Sequence, residues 1–171
     1  GRFHKEIQNR QLALILAHRK FGNMSSNPFF VVSTLDYELP DFKTINDGHY
    51  LEAFYQGTKE QLAEVEAIIA SGEPTFENTI VALEKSGRTL TRMLLVFYNK
   101  SSSDTSDALD AIEEEIAPKL SAHQDAITLN PALFSRIKSL YDNQGSLSLN
   151  SEDSWLLQKY YRDFVYAGAH L

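Results

Sequence analysis

The sequence contains no cysteine among its 171 residues. Disulfides, thiolate metal sites and cysteine nucleophiles are therefore excluded, and the composition suits a reducing cytosol. Long apolar runs are lacking as well, since no stretch approaches the roughly eighteen apolar residues of a membrane-spanning helix. Positive charge is scarce: 16 Lys and Arg oppose 23 Asp and Glu, for a net charge of −7. Because phosphate binding needs a basic surface, we expect no nucleic-acid partner. Together with the lack of cysteine and of long apolar runs, this charge predicts a soluble, cytoplasmic protein without a membrane partner.

The positive charges that are present cluster at the start of the chain. Residues 1–23 hold five basic side chains and one acidic one, a net charge of +4, which leaves residues 24–171 with a net charge of −11. Met24 follows directly and resembles a natural translation start. We therefore interpret residues 1–23 as a basic leader, added or misassigned, and residues 24–171 as the folded domain. A basic amphipathic membrane anchor in this leader is a less favoured alternative to a helix that docks on a neighbour.

Residues 75–99 carry the clearest periodic pattern. Their apolar side chains alternate between steps of four and three residues, which is typical of one face of a helix about seven turns long. Thr75 is placed to cap the first turn. Gly87 occupies the one position of this face without a side chain, and we interpret it as a close helix crossing. The predicted face comprises Phe76, Ile80, Leu83, Leu90, Leu94 and Phe97.

Four further helices are predicted on either side of this segment. They cover about residues 46–71, 107–128, 131–142 and 151–167, and Pro118 is expected to kink or split the second of them. The candidate caps are Asn46 or Asp47, Asn130, and Asn150 or Ser151. The predicted buried faces are Leu51, Phe54, Tyr55, Thr58, Leu62, Val65 and Ile69, then Leu109, Ile112, Ile116, Leu120, His123 and Ile127, then Leu133, Phe134, Ile137, Leu140 and Tyr141, and finally Trp155, Leu156, Tyr160, Phe164 and Ala167.

The β-prone residues 29–32 have no second strand pattern to pair with, so we expect them to lie along a groove between helices. Short turns between the predicted helices favour antiparallel neighbours. The predicted fold is therefore all-α, an antiparallel bundle of five or six helices arranged as hairpins, with no significant sheet.

The familiar catalytic motifs are missing from the sequence. Its five histidines are too far apart for a His-Glu-x-x-His zinc helix, and a Gly-x-Ser-x-Gly elbow, a phosphate-binding glycine loop and a calcium loop are also lacking. We therefore predict no catalytic, cofactor-binding or metal residue in this chain. The histidines are His4, His18, His49, His123 and His170.

For two of these histidines the sequence favours a structural role over a catalytic one. His123 lies on an apolar stripe, so we predict a hydrogen-bonded core or boundary histidine. His49 lies one turn into its helix and is expected to pack at the helix start. Neither prediction requires a ligand.

The most concentrated charges also favour structural roles. The three glutamates at 113–115 point about 100° apart on a helix and cannot converge on one ion, so a solvated face is favoured over a metal site. Arg88 and Arg92 lie four residues apart, and we expect them to pair with Glu84 or with a neighbouring helix.

Several motifs resemble those of the thimet oligopeptidase family of zinc metallopeptidases. The resemblance covers about residues 27–171, in order and with few gaps, whereas residues 1–23 do not match. The most specific part lies between residues 76 and 97. The matching motifs are Asn27-Pro28-Phe29, Leu39-Pro40-Asp41-Phe42-Lys43-Thr44-Ile45 with His49-Tyr50 and Ala53-Phe54, Phe76-Glu77-Asn78-Thr79-Ile80-Val81-Ala82-Leu83-Glu84 with Ser86-Gly87, Leu90, Arg92 and Val96-Phe97, Leu133-Phe134-x-Arg136-Ile137, and Arg162-Asp163-Phe164-Val165-x-Ala167-Gly168-Ala169-x-Leu171.

The resemblance implies a mostly helical enzyme whose deep channel admits short peptides. In that family a His-Glu-x-x-His helix and a more distal Glu hold zinc in the C-terminal part, and none of those residues lies in the matched region. The resemblance therefore implies an N-terminal channel-wall domain, truncated before the catalytic part and inactive alone. Its partners would be the missing C-terminal region and short peptides, and the whole enzyme would use zinc to release dipeptides from peptide C-termini.

A second hypothesis is a stand-alone helical interaction module without enzymatic activity. A gene that continues past Leu171 into a zinc motif would favour the peptidase hypothesis. A severed inter-domain surface is expected to expose apolar groups from the set Phe29, Phe30, Tyr160, Tyr161 and Tyr166.

Overall fold

The computed structural model describes residues 27–31, 41–103 and 106–171. The chain divides into two compact units, Gly1–Ile45 and Asn46–Leu171, and each is described by itself. In the first unit, the Oδ1 of Asn27 accepts a hydrogen bond from the backbone N–H of Phe29 at 3.1 Å and starts a 3₁₀ helix, Pro28–Phe30. Phe29 and Phe30, two of the β-prone residues, therefore belong to a 3₁₀ helix. The predicted leader, residues 1–23, lies outside the described residues.

The described residues of the second unit form six α-helices, five of them with twelve residues or more. They are α1 (Asp47–Ile69), α2 (Ala82–Lys85), α3 (Arg88–Ser103), α4 (Asp107–Thr128), α5 (Pro131–Asp142) and α6 (Ser151–Ala167). A π-helical turn, Glu77–Val81, leads into α2, and a 3₁₀ turn, Gln144–Ser146, precedes α6. Within the described ranges no strand occurs, so the predicted all-α fold is confirmed. None of the helices described is long and apolar enough to cross a membrane.

Side-chain caps explain where the helices begin. The side chain of Asn46 accepts from the N–H of Gly48, and His49 completes a capping box with it. Asn130 and Asn150 cap α5 and α6 in the same way. Thr75 Oγ1 accepts from the N–H of Asn78, and the Asn78 side chain accepts from Thr75 in return. An oxygen at this position satisfies one of the free N–H groups of a first helical turn, and the predicted caps Asn46, Thr75, Asn130 and Asn150 are confirmed.

The seven-turn helix predicted for residues 75–99 is wrong, because the chain leaves the helix at Ser86 and Gly87. Ser86 is extended, with φ −75° and ψ 158°, and Gly87 has φ +68°. Two side chains of α1 hold this break. Glu64 Oε2 accepts from the N–H of Gly87 at 2.7 Å, and Gln61 Nε2 donates to Ser86 Oγ at 3.3 Å.

The break turns the following helix relative to the preceding one. Leu83 before it and Leu90 and Phe97 after it are buried as predicted, but Leu94 is only half-buried. The side chains of α3 that enter the interior are Leu90, Met93, Val96 and Phe97. Of the predicted face on α3, Leu90 and Phe97 are therefore confirmed, whereas Met93 and Val96 are buried more deeply than Leu94.

We predict that Gly87→Ala lowers the free energy of unfolding by about 1–2 kcal/mol, because a side chain is strained in the left-handed region. An added Cβ would also lie 2.4 Å from Gln61 Nε2. Gly72→Ala is the matched control, since Gly72 also has a positive φ, +81°, but open space around it. Denaturant unfolding of both variants separates the strain from the contact. Equal losses of unfolding free energy in the two variants would show that the Gln61 side chain moves aside at no cost in stability.

The buried faces are only partly those predicted. α1 buries Tyr50, Phe54 and Gly57 against its neighbours, whereas Tyr55 and Leu62 are exposed. On α6 the buried residues are Leu157 and Phe164, while Trp155 is 59% exposed. α4 buries Leu109, Ile112, Ile116 and His123, as predicted, and it continues unbroken through Pro118, so the helix is not split there.

Leu83 belongs to an apolar core that α1, α2, α5 and α6 share. We predict that Leu83→Ala costs about 2–3 kcal/mol of unfolding free energy, because burial of the side chain is lost and a cavity is left. Leu94→Ala should cost less than Leu83→Ala, since Leu94 is half-buried beside a cleft. Urea denaturation of both variants tests this order. A larger loss for Leu94→Ala would contradict it.

Candidate functional site

The histidine at the start of α1 has a structural role. The backbone N–H of Asn46 donates to His49 Nδ1 at 3.2 Å, and the Asn46 side-chain amide lies 3.2 Å from His49 Nε2. The prediction that His49 packs at the helix start is confirmed. His4 and His18 lie outside the described residues, and His170 is exposed near the end of the chain.

The acidic run of α4 diverges, as its spacing predicts, but it is not simply a solvated face. Glu115 Oε1 accepts hydrogen bonds from Tyr55 Oη at 2.5 Å and from Lys119 Nζ at 2.9 Å. These bonds, led by the one from Tyr55, lower the pKa of the Glu115 carboxyl. Glu113 accepts from Ser101 Oγ at 3.3 Å. Because the two carboxylates contact different helices, no common ion site is formed.

Of the alternatives expected for Arg88 and Arg92, the pairing of Arg88 with Glu84 is wrong. The helix breaks between these two residues, so they are no longer one turn apart on the same face. Glu84 Oε1 instead accepts from Tyr160 Oη at 2.6 Å. Burial, followed by this hydrogen bond, raises the pKa of the Tyr160 phenol, so the phenol remains a neutral donor that joins α6 to α2.

Among the histidines that the structure describes, His123 is the buried one, with 7% of its surface exposed. Its Nε2 lies 2.7 Å from Gln61 Oε1, and the predicted hydrogen-bonded boundary histidine is confirmed. Both side chains line a cleft of about 220 Å³ whose remaining walls come from α3 and α4. Sequence reasoning identified His123 but not its partner, which is 62 residues away in the chain.

Burial lowers the pKa of His123 below its ordinary value of 6.5. The unfolded chain therefore binds this proton at a higher pH than the folded chain, and stability falls as the pH drops through about 6.5. We predict that the free energy of unfolding decreases more steeply between about pH 7.5 and 5.5 in the wild type than in His123→Gln. Urea denaturation across this range is the measurement, and parallel pH profiles would contradict the prediction.

Arg136 is the polar residue whose role the sequence reasoning missed. It lies on α5, is 7% exposed, and points its guanidinium at the turn after α1. Its Nη1 donates to the carbonyl of Gly72 at 2.5 Å, and its Nη2 donates to Ser71 Oγ at 2.8 Å and to Asn78 Oδ1 at 2.9 Å. The available signal was the position of Arg136 on the predicted buried face of α5, three residues after Leu133 and four before Leu140.

Zinc, which the resemblance implies for a whole enzyme, does not fit the residues described here. A zinc site needs three or four histidine, cysteine or carboxylate ligands, and no such group of three able to hold a metal occurs within the described ranges. The ring nitrogens of His49 face Asn46, and His123 Nε2 faces Gln61. We assign no zinc ligand and derive no step through zinc.

Comparison with curated proteins places this helical chain beside bacterial peptidases. The dipeptidyl carboxypeptidase of Salmonella typhimurium strain LT2 is 38% identical over 149 residues, which are 86% of this chain and 22% of that protein. The dipeptidyl carboxypeptidase of Escherichia coli K12 is 40% identical over 146 residues, 85% of this chain and 21% of that protein. Oligopeptidase A of S. typhimurium is 25% identical over 136 residues. These similarities confirm the resemblance that the motifs indicated.

The matched region is a small part of each relative. The chain spans 20–22% of the length of these three proteins. No protein-family model matches the sequence. The activity and the substrates of the complete relatives therefore bear on this chain only through a proposal.

Proposed function

We propose that this chain is the N-terminal helical part of a zinc peptidyl-dipeptidase, an enzyme that releases dipeptides from the C-termini of short peptides. In this proposal the chain forms part of the wall of the peptide channel and performs no chemistry alone. The observation that supports it most directly is the 38–40% identity to two dipeptidyl carboxypeptidases over 85–86% of the chain.

The way the structure uses its buried polar groups agrees with a scaffold role. Arg136 binds the turn after α1, His123 binds Gln61, and Tyr160 binds Glu84. Each of these contacts joins two separate segments of the second unit. We infer that they maintain the shape of a wall against which other parts of the enzyme and its peptide substrate can pack.

In the proposed enzyme, catalysis is carried out by a further part of the polypeptide and not by the residues of this chain. Zinc would be held there by ligands of that further polypeptide and would supply Lewis-acid chemistry, and a glutamate of the same part would act as general base. The partners of this chain would be that catalytic region and short peptides. A cytoplasmic location, suited to a chain without cysteine, is part of the same proposal.

A chimeric enzyme tests the proposal. The matching region of the E. coli dipeptidyl carboxypeptidase is replaced by the corresponding residues of this chain, and release of C-terminal dipeptides from a short peptide is measured. We expect the chimera to remain active and the purified 171-residue chain with added zinc to be inactive. A chimera that folds, as judged by circular dichroism, but releases no dipeptide would refute the wall role. Zinc-dependent hydrolysis by the 171-residue chain would refute the proposal that catalysis requires a further part of the enzyme.

A stand-alone interaction module is the second candidate, and the full burial of Phe29 favours it, whereas the exposed aromatic groups of α6 favour a severed surface. Trp155 and Tyr166 lie on the same face of the helix, and Tyr166 is 80% exposed. Of the groups expected on a severed surface, Tyr166 is exposed, whereas Phe29 is fully buried. An inactive chimera together with a stable, monomeric 171-residue chain would favour this module over the peptidase.

A further inference from the structure

The cleft beside His123 is lined by apolar and by polar side chains. The apolar ones are Leu90 and Leu94 of α3 and Leu120 and Ile127 of α4, and the polar ones are Gln61, Thr91, His123, Gln124 and Thr128. Its volume of about 220 Å³ is below the 300–1,000 Å³ typical of pockets for drug-sized ligands. The cleft therefore has room for one ring or one short aliphatic group.

A chain of hydrogen bonds determines which nitrogen of His123 carries the proton. Ser86 Oγ donates to the carbonyl of Leu83 at 2.8 Å, so the same oxygen accepts from Gln61 Nε2 at 3.3 Å. This orients the Gln61 amide so that its oxygen faces His123 at 2.7 Å. Because an amide oxygen can only accept, the hydrogen of the neutral imidazole lies on Nε2.

The other ring nitrogen, Nδ1, is consequently a bare acceptor. Among the residues that the structure describes, none donates a hydrogen bond to it. It is not one of the fully enclosed polar atoms that lack a partner, so solvent or a ligand can reach it. A buried acceptor in an apolar site binds a donor more favourably than it remains unpaired.

We propose that this cleft binds a small neutral apolar group with a single N–H or O–H donor, such as an indole or a phenol, which donates to His123 Nδ1. The leucine and isoleucine walls would contact the ring, and the imidazole would fix its orientation. A carboxylate is disfavoured because it would bring a second acceptor to the same nitrogen. The group can come from a free small molecule or from an aromatic side chain of a peptide.

Burial agrees with this assignment. It lowers the pKa of His123, which keeps the imidazole neutral, and therefore able to accept, near pH 7. The proposal goes beyond the proposed function and does not depend on it, because it concerns only α1, α3, α4 and the break before α3.

The decisive experiment compares indole with 1-methylindole, which has the same ring but no N–H donor. Nitrogen NMR of the histidine side chains in the full 171-residue chain reports the tautomer and the hydrogen bonding of each ring nitrogen. We expect His123 to carry its proton on Nε2 and its Nδ1 signal to shift when indole is added. Binding of 1-methylindole should be about three- to tenfold weaker, as for the loss of one hydrogen bond. A proton on Nδ1 in the free protein, or equal binding of the two compounds, would overturn the proposal.

Two neighbouring leucines provide a matched pair of variants. Leu94→Phe fills the cleft, whereas Leu95→Phe adds the same ring at a position that is 69% exposed and does not line it. We expect at least about a tenfold loss of indole binding in Leu94→Phe and none in Leu95→Phe. Equal losses in both variants would contradict a site in this cleft.

N-acetyltryptophanamide distinguishes the sources of the ligand. Binding as tight as that of indole would identify an aromatic peptide side chain as the occupant. Binding of indole alone would identify a free small molecule. Absence of binding by both would refute the site.

Discussion

Arg136→Leu is expected to lower the free energy of unfolding by about 3–4 kcal/mol, because several buried hydrogen bonds are lost together. Arg136 lies on α5, whereas its partners Ser71 and Gly72 lie in the turn after α1 and Asn78 lies in the π-helical turn. Leucine retains much of the apolar stem of the side chain, so the loss chiefly reflects the guanidinium.

The electrostatics of this contact explain the size of the effect. A buried cation is costly unless it is compensated, and no carboxylate pairs with Arg136 among the described residues. Its guanidinium instead lies at the carboxyl end of α1, where Nη1 also approaches the carbonyl of Ile69 at 3.4 Å. The last carbonyls of a helix carry partial negative charge and lack helical partners. The guanidinium of Arg136 thus takes the place of water at these carbonyls and connects α5 to the turn after α1.

Chemical denaturation of Arg136→Leu tests this account, and Arg162→Leu is the matched control. Arg162 is exposed on α6, where such a substitution should change stability by less than about 0.5 kcal/mol. A loss below about 1 kcal/mol for Arg136→Leu would show that water replaces the guanidinium at little cost.

The parts of the fold that the sequence predicted depend on neighbouring residues. α4 begins after Ser106 and ends at Thr128, as expected from its apolar period of three and four residues. Asn130 followed by Pro131 marks the start of α5, because an amide cap and a proline in the first turn both suit a helix N-terminus. Such signals act within one or two turns and are visible in a single segment.

The features that the sequence did not predict depend on distant contacts. The break at Gly87 is held by Gln61 and Glu64, which are more than twenty residues earlier in the chain. Without these partners, the apolar period across residues 75–99 favours one continuous helix. The exposed face of Trp155 was missed for a similar reason, since the packing of α6 against α5 decides which side is buried.

The same distinction applies to the candidate site. The apolar stripe of α4 predicted that His123 is buried and hydrogen-bonded. The cleft beside it also requires Gln61 of α1 and the position of α3, and α3 takes that position only after the break. A single-segment pattern could therefore identify the histidine but not the cavity that it lines.

Gly57→Leu is expected to be the most destabilising substitution, with a loss of about 4 kcal/mol or more, because new atoms would overlap a neighbouring backbone. Gly57 lies in the middle of α1, where α3 begins to pack against it. A Cβ added there would lie 2.8 Å from the backbone nitrogen of Leu90 and 2.9 Å from its Cα. Backbone atoms cannot turn away as the end of a flexible side chain can, so the two helices would have to separate.

Gly57→Ala gives the sharper test, because helix propensity and packing predict opposite signs. In an open helix interior, alanine in place of glycine adds about 0.5–1 kcal/mol of stability. At Gly57 the overlap should outweigh this gain and produce a net loss of about 1–2 kcal/mol. Gly145→Ala is the control, since nothing lies within 4 Å of its added Cβ. If urea denaturation showed Gly57→Ala to be more stable than the wild type, the backbones of α1 and α3 would not cross as closely as described.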